Sequence, residues 1–334
     1  MLTRTQGSSG SGPNSSSSIV HQKEAEPITI DGRDYINSVA LLVDGKHVVS
    51  GGDKGKIRRW RIEDGERVGK SMDAGSAVRN IAVSRDGKFI VGGTTSGLVT
   101  VWNAESHSKV NEFMAAHDIW VRAVDISPDG TKISTGSDDC TACIWSLSTG
   151  KRLLGPLKHD HWVVAVKFSP DGRLLAAATF SRATDSVRVY DSQKGRLLVE
   201  FPVKVNQSSN QSLAWASDSK QLFALSGDGN THCVDLSTGT TLSTWHIHTS
   251  NNPTSIALAS NGAFVTTSAD SSVSFWDTTT REQIGTVIEY AHNVESMVVS
   301  SNYDLVTSGN NKISLQALHG ILPSHYFDDV SVST

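Results

Sequence analysis

Few residues of this 334-residue chain are equipped for chemistry. Cys140-Thr141-Ala142-Cys143 forms a C-x-x-C string. Redox use of such a string draws on a helix N-terminus, and zinc binding draws on a second pair. Cys233 is the one further cysteine, so the pair reads as a turn residue followed by a strand residue. His159-Asp160-His161 and His246-Ile247-His248 set imidazoles at i and i+2, a spacing that shares one face of a strand and suits a metal. No cluster of acidic or cysteine ligands accompanies them, and no metal is expected. Carboxylates are paired at Asp138-Asp139, but there is no G-x-S-x-G elbow for a serine nucleophile. There is no G-x-x-x-x-G-K-[ST] loop for a phosphate either. The chain reads as non-catalytic, without catalytic residue or cofactor.

The elements that hold these residues repeat. Asp44-Gly45, Asp86-Gly87, Asp129-Gly130 and Asp171-Gly172, with Asn261-Gly262 as a variant, recur along the chain. Each dipeptide favours the positive φ of a tight hairpin turn and marks a strand reversal. A third apolar run ends at Trp60, Trp102, Trp145, Tyr190, Val234, Trp276 and Gln316, with spacings of 42, 43, 45, 44, 42 and 40 residues. Between these landmarks the runs alternate and are rich in β-branched and aromatic residues, as at 121–126 and 163–168. No stretch sustains a helical period. Each copy supplies four short strands, a sheet too small to bury both faces alone, and stacking such sheets around an axis buries them. The predicted fold is all-β: a seven-bladed β-propeller of four-stranded antiparallel blades.

With that period and its terminal Trp, the sequence resembles the WD40 repeat family over about residues 27–327. Phrases such as FSPDGRLLA and FWDTTTREQIGTVI are most similar to WD40 repeats of fungal proteins, free-standing or behind NACHT-type ATPase domains. The resemblance implies a buried chain of hydrogen bonds from a His through a Ser or Thr and an Asp to the Trp. The third repeat matches it at His117, Thr135, Asp139 and Trp145, and the sixth at His248, Thr266, Asp270 and Trp276. The first repeat keeps Ser50 and Trp60 but has Lys54 where the Asp belongs. The second keeps little beyond Trp102, and the fourth pairs His159 with Tyr190.

The resemblance also implies that partners meet the starts of the first strands and the turns before the third strands, around the channel mouth. Those positions gather Tyr35, Trp120 and Trp162 with Asp53 and Asp138. Large, stiff, half-polar aromatics anchor interfaces, so a protein or peptide partner is expected there. The alternatives are a ligand-sensing or regulatory module of a larger NACHT-type protein, and an enzyme using the channel mouth.

Composition agrees with a soluble globular chain. Thirty Lys and Arg against 34 Asp and Glu leave a formal charge of −4. That is no field for nucleic acid or an anionic membrane, and Arg58-Arg59 and Lys151-Arg152 read as solvated rim. No apolar run is long enough to span a bilayer, and three cysteines make no disulfide framework. A cytoplasmic setting is expected, with the nucleus also open, for a monomer within a larger assembly. Residues 1–26 read as a disordered Ser/Gly-rich tail or linker, 27–327 as the propeller and 328–334 as a C-terminal tail. Residues 26–30 stand in register with the strand that precedes each repeat, so they are read as the outer strand of the last blade. The segment 321–327 is the competing closer.

Overall fold

A computed structural model describes residues 27–113, 116–180, 186–205, 211–247, 253–302 and 304–327. His248 and both proposed tails (1–26 and 328–334) lie outside the described residues. The chain forms seven four-stranded antiparallel sheets around a channel. Blades one to six occupy 36–73, 78–113, 121–158, 162–202, 213–246 and 253–289, each with its strands in chain order. The seventh joins Ser296–Val299, Asp304–Gly309 and Lys312–Ala317 to Ile28–Asp31, the first strand of the chain. Ile28–Asp31 pairs with the last strand in the register Ile28↔Leu315 to Asp31↔Lys312. The ring is therefore closed by residues from opposite ends of the sequence, and no blade is left one strand short. The segment 321–327 instead packs against blade six, where Leu322 is buried with Phe264 and Phe275, and Tyr326 donates to Asp277 at 2.8 Å.

Turn chemistry explains the strand reversals. Gly45, Gly87, Gly130, Gly172 and Gly262 all take φ between 62° and 74°. The preceding Asp or Asn accepts the N–H two residues on, at 2.8 Å for Asp44, 3.1 Å for Asp86 and 3.0 Å for Asp129, Asp171 and Asn261.

The core lies between blades. Among the described residues seven apolar clusters are found, each spanning one pair of neighbouring blades. Val91, Val101 and Phe113 of blade two, for example, pack on Val121, Ile133 and Trp145 of blade three. Burying each such aliphatic side chain is worth about 1.5–3 kcal/mol.

A polar belt adds to this inside the channel. The first strand of each blade ends its sheet, so N–H groups on its free edge have no strand partner, and the blade before supplies the acceptor. Val39 N–H donates to Ser296 Oγ (3.1 Å), Ile81 to Ser38 Oγ (3.1 Å) and Val124 to Asn80 Oδ1 (3.0 Å). Phe168 N–H donates to Asp125 at 2.8 Å in the same manner. Gln211 serves two blades, its main-chain oxygen accepting from Ile256 (2.9 Å) and its Oε1 from Met297 (3.1 Å).

Candidate functional site

The buried polar chain expected in blade three is complete. Trp145 Nε1 donates to Thr135 Oγ1 at 2.9 Å, Thr135 Oγ1 lies 2.6 Å from His117 Nε2, and His117 Nδ1 lies 2.8 Å from Asp139. A carboxylate only accepts, so the proton sits on Nδ1, and the threonine hydroxyl donates to Nε2. Burial alone would raise the Asp139 pKa, but the hydrogen bonds from His117 and Thr141 outweigh it and hold the carboxyl below its usual range. These residues fasten the strands of blade three.

The other blades depart from this chain in ways their strand registers explain. In blade six Trp276 pairs with Val265, so the residue two further on is Thr267. Trp276 Nε1 donates to Thr267 Oγ1 at 3.2 Å, which corrects the assignment to Thr266, whose hydroxyl is buried without a partner. Asp270 occupies the turn at φ 48°, and its main-chain oxygen accepts from Val294. In blade two Gly92 stands at the threonine position, and the indole N–H of Trp102 has no acceptor. In blade four Ala177 stands there, and the Tyr190 hydroxyl reaches His159 Nε2 itself at 3.3 Å. Burial pushes the His159 pKa down to about 4. Blade one keeps Trp60 donating to Ser50 at 2.8 Å, while buried Asp34 accepts the Lys54 N–H and faces Arg58.

The residues expected at the channel mouth share one local design. The carbonyl at each first-strand start accepts the N–H of the turn residue: Tyr35 from Asp53 (3.0 Å), Ala77 from Thr95 (2.9 Å) and Trp120 from Asp138 (3.1 Å). This links each aromatic to its acid through the backbone.

Side chains then connect the blades laterally. Tyr35 Oη donates to Glu295 of blade seven at 2.7 Å, and burial together with that bond pushes its pKa up to about 12. Asn37 donates to Asp53 at 2.9 Å, and Arg79 of blade two lies 3.8 Å from the same carboxylate. The Arg79 guanidinium sits 5.2 Å from the Trp120 ring centroid; burial and the nearby Arg122 push its pKa down. Arg122 is held to Asp138 by two bonds of 2.6 and 2.9 Å, and its guanidinium lies 4.9 Å from Trp120 and 5.3 Å from Trp162. Trp162 in turn packs on Phe180, 6.1 Å between centroids.

The five expected residues thus belong to one connected patch, but they differ in what they offer. Tyr35 and Trp120 are 40% and 39% exposed and present area to solvent, whereas Trp162 is half-buried. Asp138 is buried with both oxygens on Arg122, so it orients that arginine. Sequence reasoning missed Arg79 and Arg122, which carry the lateral links. The signal was present: each stands two residues after its strand start, 43 residues apart, and Asn37 holds the same place in blade one.

Among the described residues no group of three or more His, Cys, Asp and Glu is placed to hold a metal ion. Cys140 lies in a turn and Cys143 is buried on a strand, both as free thiols. Burial pushes the Cys143 thiol up to about 11, away from the thiolate that reactivity needs.

Comparison with known proteins gives the same repeat. The model of the WD domain, G-beta repeat, matches residues 26–61, 108–146, 151–191 and 239–277. Each match begins near or on the outer strand of one blade and ends in the third strand of the next. Two rice proteins (Oryza sativa subsp. japonica) are similar over part of the chain. Small ribosomal subunit protein RACK1z is 29% identical over 129 residues, covering 37% of each chain. Small ribosomal subunit protein RACK1y is 31% identical over 121 residues, covering 35% of this chain and 34% of its own. The matched region thus spans little more than a third of either relative's length.

Proposed function

We propose that this seven-bladed propeller, matched by the WD-domain model in four segments, is a non-catalytic scaffold that binds a protein or peptide partner at the channel mouth. The observation that carries this reading is the exposed Trp120 ring, held by two guanidinium groups and continuous with Tyr35. A rigid aromatic pre-set by its neighbours loses little entropy on binding and supplies a large contact area. Tyr35, Asp53, Trp120 and Trp162 contact the partner, and Asp138 acts through Arg122. The reading includes a cytoplasmic monomer that joins a larger assembly.

The test is capture from cell lysate with the wild type and with a Trp120→Ala/Trp162→Ala variant of matched melting temperature. Specific proteins retained by the wild type and lost by the variant support the reading. Identical captures overturn the assignment of this face.

A further inference from the structure

The outer rim of blades three and four carries a surface that neither the fold nor the channel mouth accounts for. Exposed aliphatic side chains stand near the start of the outermost strands of blades two to five: Val110, Leu153, Leu197 with Leu198, and Leu242, at 46%, 54%, 44%, 39% and 50% exposure. The charge beside them changes around the ring. On blade two Lys109 is paired with Glu112 at 2.7 Å, and on blade five the flank is Thr240 and Thr241. On blades three and four the chain reads Lys151-Arg152-Leu153-Leu154 and Lys194-Gly195-Arg196-Leu197-Leu198.

All four of these cations are exposed, and among the described residues none of them forms an ion pair. The two basic turns are neighbours. Gly195 turns at φ 67° directly against Leu154, whose methyl lies 2.9 Å from where a Cβ would stand. Asp191, the acid of the second turn, is held by the N–H groups of Gln193 and Lys194 at 2.9 and 2.8 Å. Leu197–Pro202 is the last strand of its sheet, so one of its edges has no strand beside it.

We infer that this rim is a second docking surface, for an acidic peptide segment of a partner protein with aliphatic side chains between its carboxylates. Four exposed cations in no ion pair, with Asp191 acting on Lys194 and Arg196 from their own turn, attract and orient such a segment. The exposed leucines bury its apolar side chains, and the free strand edge offers main-chain hydrogen bonds to an extended chain. Charge complementarity and strand geometry favour a peptide: the leucines lie along strands on the flank of the ring, a poor shape for entering a bilayer.

The test is fluorescence anisotropy on the full chain with a short labelled peptide alternating Glu and Leu. An all-Glu peptide, a Lys/Leu peptide and phosphatidylserine-containing vesicles serve as the comparisons. The Glu/Leu peptide binds saturably. Arg152→Glu/Arg196→Glu weakens it about tenfold or more, Leu153→Ser/Leu197→Ser weakens it about threefold or more, and Trp120→Ala leaves it unchanged. Should the charge-reversed variant fail to fold, Lys151→Gln/Lys194→Gln replaces it with the same expected direction. The inference is overturned by no saturable binding, by equal binding of the variants, by all-Glu binding as tightly as Glu/Leu, or by vesicles binding in preference to the peptide.

Discussion

Replacing Thr135 with Val keeps the shape of the side chain and removes one oxygen. That oxygen accepts from Trp145 Nε1 at 2.9 Å and lies 2.6 Å from His117 Nε2. Trp145 and His117 are 7% and 4% exposed, so neither freed group recovers a water. Leaving a buried polar group without its partner costs about 1–3 kcal/mol, and two are stranded here. A gain of under about 1 kcal/mol from the added methyl offsets part of this. The expected loss is about 3 kcal/mol of unfolding free energy, read as a lowered midpoint in equilibrium urea denaturation with an unchanged slope. Blade two provides the internal comparison, because Trp102 Nε1 already lacks an acceptor. Trp145→Phe therefore costs more than Trp102→Phe by the value of the lost hydrogen bond. If Thr135→Val lies within about 0.5 kcal/mol of the wild type, the chain is not the fastener described, and the reasoning fails.

Thr266→Val should leave stability near that of the wild type, because its hydroxyl has no partner, while Thr267→Val should cost about 1–3 kcal/mol by stranding Trp276; thermal melts of the two variants distinguish the assignments. His159 is held neutral in the fold, with its pKa lowered from 6.5 to about 4. Between those values the unfolded chain binds the extra proton. Its contribution is therefore complete above about pH 6.5 and is lost as pH falls towards 4, by about 3 kcal/mol in all. His159→Phe should flatten that part of the stability–pH curve. Ile30, 3% exposed in the strand that closes the ring, should cost about 2–4 kcal/mol on replacement by Ala, whereas Ile28→Ala, at 41% exposure, should cost about 0.5 kcal/mol or less by the same urea titration.

The architecture was legible because its signals are local and periodic. Asp-Gly turns and a third run ending every 40 to 45 residues, at an aromatic in five of seven copies, specify the blade, and seven copies specify a ring. The closing strand at 28–31 was readable from its register against the other repeats. The Thr266 assignment failed because the turn of blade six is one residue shorter, and on a strand a single residue exchanges one face for the other. At the channel mouth the aromatics were found by position. Their arginines were not, because Arg79 and Arg122 act across blade boundaries, reaching rings 41 and 40 residues on in sequence. The burial of Asp138 has a cause within its own blade: Arg122, 16 residues away on the adjacent strand, takes both its oxygens.

The central claim is that partners bind at the channel mouth, and footprinting a captured complex with hydroxyl radicals tests it most directly. Aromatic rings are oxidised in proportion to their exposure, and Tyr35 and Trp120 start at 40% and 39%. The account predicts that both lose reactivity in the complex while exposed residues elsewhere on the ring, such as Val287, keep theirs. Unchanged oxidation of Tyr35 and Trp120 in a complex that protects another surface would contradict it.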